Sequence, residues 1–203
     1  STIPPPSTTI NPGGFSQIGV PYTFPVPWDS IRVENPDLEP NAWFWNGSGY
    51  VEITNKLEPW KGYWVKDTGS NGTITIPPVN ADALPKVIAT IAKPVQPDGW
   101  QLRVIAEANG MIDEYNYMGV SPQASEDWDR MDFSEPPPLS GTVSVYFPHT
   151  DWPEPRGGNY AGDFRPIDSD GYTWDITVDA AIGDAETEVR IADVDQIPDR
   201  YTA

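Results

Sequence analysis

Proline and glycine interrupt this sequence so often that long helices are excluded. The chain contains 24 prolines and 17 glycines. Only the stretches 123–135 and 184–197 lack both residues and exceed about 12 residues, the length of an ordinary helix. Proline removes a backbone N–H from a helix interior, and glycine weakens a helix through its conformational entropy. The spacing therefore excludes an all-α fold, and also a doubly wound α/β fold, which needs several helical crossovers.

The aromatic content nevertheless indicates a folded core. The sequence has 9 Trp, 9 Tyr and 6 Phe, whereas disordered segments are poor in aromatic residues. Short apolar runs alternate with turn-forming residues, and the signal Asn46-Gly47-Ser48 between two runs is typical of a hairpin. We therefore expect an all-β fold with four parts: a proline-rich extended arm (1–14), a small antiparallel β unit (15–78), a β-sandwich that is immunoglobulin-like or jelly-roll-like (79–180), and a C-terminal strand or tail (181–203).

Alternation of polar and apolar residues, bounded by turn signals, locates the expected strands. The predicted strands are 17–24, 41–45, 49–53, 62–66, 73–76, 86–92, 99–106, 142–147, 172–178 and 188–191. One short helix is predicted at 125–132.

The net charge is strongly negative and is concentrated in the second half. The chain carries a charge of −18. Residues 101–203 hold 6 basic and 21 acidic side chains, net −15, whereas residues 1–100 hold 6 basic and 9 acidic, net −3. Nucleic acids and anionic membrane surfaces are excluded as partners because both need basic residues. No apolar run of about 18 residues predicts a membrane span, and cations are the natural partners.

Oxygen-bearing side chains in the second half form a candidate calcium site. The residues are Asp113, Asn116, Asp127, Asp129 and Asp132. Calcium takes 6–8 oxygen ligands, and the last three carboxylates share one short segment. The spacing is not that of an EF-hand, because no glycine and closing glutamate follow in register. The alternative is that these side chains are helix caps and surface carboxylates. The acidic turn 168–171 has two similar interpretations, a calcium-holding turn and a solvated turn.

Signals for catalysis are weak, and we expect no enzyme activity. The absence of cysteine excludes disulfides, zinc–thiolate sites and thiol nucleophiles. His149, the single histidine, lies in a turn-like stretch without a Gly-x-Ser-x-Gly elbow, and we interpret it as a surface turn residue. Paired carboxylates can hydrolyse glycosides, but 30 acidic residues produce such pairs by chance.

Trp43, Trp45 and Trp60 are candidate carbohydrate-binding residues. Trp43 and Trp45 are two positions apart and would share one face of a strand, where exposed rings could stack on sugars. The alternative is that this face is core, because a small β unit without disulfides needs large side chains to fill it.

Several long phrases resemble small β modules of bacterial secreted proteins. In the first half they are VPYTFPVPWD (20–29), AWFWNGSGY (42–50) and LEPWKGYWV (57–65), and the second half continues the resemblance at 99–102, 116–120, 127–132 and 136–138. Such modules lie near the C-termini of large exported proteins, beside sorting or immunoglobulin-like domains. The resemblance implies an extracellular, non-catalytic accessory β unit, and it assigns no role to single residues.

The two tails suggest how such a protein would assemble. Both are polar and proline-rich, and residues 188–192 alternate as an added strand would. An open sheet edge accepts an added strand through main-chain hydrogen bonds. We therefore expect a secreted, non-catalytic subunit of an extracellular assembly or filament held by its termini, with other copies of itself or other extracellular proteins as partners. The alternative is a carbohydrate-binding accessory module of a secreted protein, with a glycan as partner. Ca²⁺ is the one ion expected.

Overall fold

The computed structural model describes residues 4–84, 99–167, 171–180, 186–199 and 201. These residues group into two compact units, one of 4–46 with 51–84 and one of 47–50 with the described residues from 99 to 201. The fold is all-β, which confirms the prediction of the fold class. In the part of the chain that the structure describes, no helix is long and apolar enough to cross a membrane.

The first unit is built from short antiparallel strands and one short helix. Its helix α1 (Trp28–Glu34) lies between the third and fourth strands. The strands form a four-stranded sheet in the order β2-β7-β4-β5 and two pairs, β1-β8 and β3-β6. Their bounds are β1 (Ser7–Thr9), β2 (Phe15–Gly19), β3 (Val26–Pro27), β4 (Leu38–Trp45), β5 (Tyr50–Ile53), β6 (Lys56–Leu57), β7 (Gly62–Asp67) and β8 (Thr73–Thr75).

Alternating side chains fill the core of this unit. Along β7, Tyr63 and Val65 are buried and their neighbours are more exposed, as the period of two requires. The helix α1 turns Trp28 and Ile31, three positions apart, toward the same core. The sequence patterns did not predict α1, because its seven residues are too few to show a helical period.

The N-terminal arm is part of the first unit. Strand β1 pairs with β8, with Thr8 opposite Ile74. Next to this pair the backbone N–H of Ile10 donates to the Gly72 carbonyl at 3.0 Å, and the Ile10 side chain is buried in the core. The described part of the arm is therefore an edge of its own unit.

The second unit is one curled seven-stranded sheet. The order is β14-β12-β13-β10-β9-β15, and β11 adds to β13. The pairing of β10 with β13 is parallel, and the other pairs are antiparallel. The bounds are β9 (Trp100–Ala108), β10 (Met111–Val120), β11 (Phe133–Ser134), β12 (Val143–His149), β13 (Gly158–Arg165), β14 (Thr177–Ala180) and β15 (Glu188–Ala192).

Two central strands of this sheet, β10 and β13, were not predicted from the sequence. Strand β10 carries Asp113, Glu114 and Asn116, which break the apolar alternation. Its hairpin with β9 has a clear signal, however, because Asn109 and Gly110 have φ values of 50° and 76°, as a tight hairpin turn with two left-handed residues requires. That Asn-Gly pair would have located β10.

The predicted helix at 125–132 is wrong, because side chains there take the backbone donors. The Asp129 carboxylate accepts the N–H groups of Ser125 at 2.6 Å and Met131 at 2.7 Å. Such bonds compete with helical hydrogen bonding. The predicted strand 172–178 is also mostly wrong, since only β14 is a strand there. The predicted strand 86–92 lies outside the described residues.

The C-terminal strand β15 completes its own sheet. It pairs with β9, with Ile191 opposite Val104. Both β1 and β15 therefore have strand partners within the chain. That the termini hold neighbouring copies together stays a prediction.

Candidate functional site

The five predicted calcium ligands do not form one cluster. Asp132 accepts the backbone N–H groups of Asp129 at 2.9 Å and Phe164 at 3.0 Å, so its oxygens, like those of Asp129, organise a loop. Asp127 is exposed. In the ranges that the structure describes, no group of three or more His, Asp or Glu side chains is placed to hold a metal ion. The backbone uses the carboxylates of Asp113, Asp129 and Asp132, and the calcium site at these residues stays a prediction. Residues 168–170 of the second acidic turn lie outside the described residues.

Asp113 and Asn116 lie apart from that loop, on the central strand β10. Asp113 accepts the backbone N–H of Val145 at 2.6 Å. Burial raises the pKa of Asp113 to about 6, although the Val145 N–H and the nearby Asn116 amide lower it. The Asn116 side chain is fully buried, and its polar atoms lack the full geometry of a hydrogen bond to any described residue.

Burial also raises the pKa of two further acids of the second unit. Burial raises the pKa of Asp132 to about 7. Burial raises the pKa of Glu135 well above its usual value, and the charge of Asp113 raises it further. Glu135 accepts a hydrogen bond from the Ser144 hydroxyl at 2.8 Å. Asp113 and Asp132 are at most 9% exposed, and their contacts join strands and loops, so we interpret these acids as structural.

His149 is buried, so its interpretation as a surface turn residue is wrong. Its ring stacks on Trp152 with centroids 3.6 Å apart. Nε2 lies 2.9 Å from Asp163, which also binds Arg165, and Nδ1 lies 3.6 Å from Asp151. Both ring nitrogens face carboxylates, an arrangement that holds strands β12 and β13 together and presents no serine nucleophile to the ring.

The predicted carbohydrate surface is not formed as a set of three rings. Trp43 is 2% exposed and cannot stack on a sugar, so its assignment is wrong. Trp45 is partly exposed. Trp60 stands out at 89% exposed, on the turn between β6 and β7, and its φ is 64°. One face of β4 is buried because a small β unit needs it as core.

An aromatic cavity of about 270 Å³ lies in the second unit. Trp100 and Leu102 of β9 lie opposite Val120 and Met118 of β10, so the pleat places all four side chains on one face. Ile191 of β15 extends this wall. Three strands thus form one side of the cavity.

Aromatic side chains close the other side. Tyr172, Trp174 and Tyr201 come from extended segments after β13 and near the described C-terminal end. The Trp100 ring meets Trp174 edge-on at 5.8 Å and Tyr201 edge-on at 5.7 Å. Such edge-to-face pairs fix ring orientation, so the cavity has well-defined walls.

Two polar atoms in these walls lack a partner. Trp100 Nε1 and the Tyr172 hydroxyl are buried and make no hydrogen bond to any described residue. By contrast, Trp174 Nε1 donates to the Asp163 carbonyl at 3.3 Å. A buried donor without an acceptor costs about 1–3 kcal/mol. Neither atom is exposed to the cavity, so an oxygen acceptor that enters it recovers this free energy only where the Trp100 or Tyr172 side chain turns its donor inward.

Several acidic residues are close in sequence to the residues that line the cavity. Asp175, Asp195 and Asp199 are exposed and lie within two positions of lining residues. Asp193 is engaged, since it pairs with Arg103 at 2.7 Å. The surroundings favour a neutral or cationic partner.

Sequence analysis missed this site because its aromatic residues are far apart in the chain. Trp100 and Tyr201 are separated by about half of the sequence. The paired spacings Trp100-x-Leu102 and Tyr172-x-Trp174 were the available signal, but neither indicates which partner each face meets.

Comparison with protein-family models, curated proteins and solved structures finds no match for this chain. The argument for function therefore rests on the geometry of the chain itself.

Proposed function

We propose that this chain is a non-catalytic binding protein of an extracellular assembly, and that the aromatic cavity of the second unit is its binding site. One observation carries the proposal: an apolar cavity whose lining residues Trp100 and Tyr172 each hold a buried donor that has no acceptor among the described residues. Binding sites for small groups are typically apolar, with a few polar groups that fix orientation. The cavity has this composition.

The cavity suits a ligand that has a small apolar ring and an acceptor oxygen attached to it. Its 270 Å³ is close to the lower limit of about 300 Å³ for ligand pockets, which suits one ring system. The apolar walls supply affinity through burial of surface. Trp100 and Tyr172 supply orientation by donating to an acceptor oxygen.

Several observations support a role without catalysis. Among the described lining residues, the side chains are aromatic and aliphatic, and the tyrosine hydroxyls are the only titratable groups. General acid–base catalysis usually needs a histidine or carboxyl group within reach of the substrate. The extracellular location rests on the resemblance of the sequence phrases to modules of secreted proteins, and the assembly rests on the polar, proline-rich tails.

A matched pair of probes tests the proposal. Acetophenone and ethylbenzene are similar in size and shape, but only acetophenone carries an acceptor oxygen. We expect both to bind the wild-type protein in a saturable way by NMR titration. Acetophenone should bind about tenfold more tightly, the effect of one well-made hydrogen bond.

Single substitutions test which side chains cause the preference for acetophenone over ethylbenzene. Trp100→Phe and Tyr172→Phe each remove a donor and should reduce the preference for acetophenone. Trp64→Phe, in the first unit, should leave the preference unchanged. Equal affinity of the wild type for both probes, or no saturable binding of either, contradicts the proposal.

A further inference from the structure

We propose that the occupant of the aromatic cavity is the Trp60 side chain of a second copy of this chain. This inference rests on the proposed function, because it places a specific group in the same cavity. It makes the protein self-associating, with a protruding residue on the first unit and a receiving cavity in the second.

Trp60 is presented as a contact residue. At 89% it is the most exposed large apolar side chain among the described residues. Its φ of 64° is left-handed, a conformation that is a genuine outlier for a bulky residue. Such strain persists where the surrounding structure imposes it, often at functional positions. Here β6 and β7 flank the turn and pair with β3, β2 and β4, so the turn holds the indole outward.

Size and polarity agree with an indole in the cavity. A cavity of roughly 150 Å³ holds benzene, so 270 Å³ has room for the larger indole ring. The walls are aromatic and aliphatic, which suits the apolar faces of an indole ring.

Charge complementarity favours a second copy over an unrelated apolar partner. The exposed Lys61 follows Trp60 directly, whereas Asp175, Asp195 and Asp199 lie exposed beside the cavity-lining residues. Opposite local charges guide association and fix its orientation.

Each contact joins two different surfaces, Trp60 of one copy and the cavity of another. Used reciprocally between two copies, it closes a two-fold dimer, and otherwise it continues into a ring or an open filament. The assembly then needs neither terminus, in agreement with the pairing of β1 and β15 within the chain.

Sedimentation velocity over a concentration series is the first test. We expect the wild type to associate as its concentration rises, in a buffer of physiological ionic strength, where salt screens the repulsion between copies that each carry a charge of −18. Trp60→Ala should weaken association by at least about tenfold, as for a central tryptophan of an interface. Val33→Ala is the matched control, because Val33 is also apolar and exposed on the first unit, at 80%. It should associate like the wild type.

Complementary variants give the second test. Trp60→Ala keeps the cavity, whereas Ile191→Asp keeps Trp60 and adds a charge to the cavity wall. Ile191 is 49% exposed on an edge strand, so the variant should fold, and circular dichroism checks this. Each variant alone should be monomeric, and an equal mixture should form dimers but no larger species.

The outcomes separate this inference from the proposed function. Association that survives Trp60→Ala, or a mixture of the two variants that stays monomeric, overturns the inference. A wild type that is monomeric up to about 1 mM, the range of very weak affinity, also overturns it, and acetophenone binding then leaves the cavity proposal intact. If acetophenone does not bind either, the proposed function itself is wrong.

Discussion

The first unit holds five of the nine tryptophans, yet the candidate binding cavity lies in the second unit. In the first unit, the Trp28 indole donates to the Pro40 carbonyl at 2.7 Å, and the Tyr63 hydroxyl accepts from the Glu58 N–H at 2.8 Å. In the second unit, Trp100 and Tyr172 have no such partner among the described residues. Abundant aromatic residues thus mark a core, whereas aromatic residues with unpartnered donors mark a site.

The units also differ in their buried acids. In the first unit, the buried Asp67 accepts the Gly69 N–H at 3.0 Å within a tight turn. In the second unit, burial raises the pKa of Asp113, Asp132 and Glu135. Burial therefore favours the neutral form of these three carboxyl groups, and the stability of the second unit should depend on pH.

The largest expected effect comes from truncating one core at a time. Trp28→Ala in the first unit and Phe147→Ala in the second remove side chains that are each 1% exposed. Each should cost about 3–5 kcal/mol. Hydrogen exchange should show lost protection in the truncated unit alone. Equal loss in both units after either substitution would show that the comparison of two separate cores is wrong.

The next effect is a loss of stability of the second unit as pH rises. Folding raises the pKa of Asp113 from 3.8 to about 6, so the folded state binds the proton more tightly. The stabilisation is complete below about pH 4 and is lost as pH rises through 6. A shift of this size corresponds to about 3 kcal/mol, and the raised pKa of Asp132 acts in the same direction.

Asp113→Asn should flatten this pH dependence, because the amide stays neutral. Thermal unfolding between pH 5 and pH 8 measures it. The matched control is Asp127→Asn, which removes the same charge from an exposed position and should keep the wild-type slope. An unchanged slope in Asp113→Asn would rule out the buried carboxyl as the cause.

Substitution of one tyrosine in each unit should change the free energy of unfolding by a smaller amount. Tyr63→Phe removes the acceptor of the Glu58 N–H and should cost about 1 kcal/mol. Tyr172→Phe removes a buried hydroxyl without a described partner and should leave the free protein equally stable or more stable by about 1 kcal/mol. Urea unfolding measures both. Equal destabilisation by the two substitutions would mean that the Tyr172 hydroxyl is satisfied.

The smallest effect concerns the loop that was expected to bind calcium. Asp129→Ala removes an acceptor of two backbone N–H groups and should cost about 1 kcal/mol, as loss of a cap does. The loss should be the same with calcium and with a chelator. A wild-type melting temperature that falls on chelation, with no such fall in Asp129→Ala, would support the calcium hypothesis.

Local signals predicted much of the strand content. The alternation of Thr73, Ile74 and Thr75 located β8, and Asn46-Gly47 located the loop between β4 and β5. These features depend on neighbours in sequence. Strand β10 was missed because Asp113 and Asn116 are buried through contacts with distant strands, which no local pattern shows.

The candidate site was less predictable than the fold. Trp43 and Trp60 look alike in sequence, but one is buried and the other is exposed. His149 lies among prolines that suggest a surface turn, yet stacking on Trp152 buries it. The cavity depends on which strands pair, since the β9–β10 register brings Trp100 beside Val120. Long-range pairing of this kind cannot be deduced from periodicity alone.

The most direct test of the cavity as a binding site is the NMR signal of the Trp100 indole N–H. Trp100→Phe identifies this signal among the nine tryptophans. In a titration with acetophenone, the account predicts a saturable downfield shift of this proton, as a new hydrogen bond forms, and little shift with ethylbenzene. A Trp100 signal that does not move with acetophenone, or that moves equally with both probes, would contradict the account.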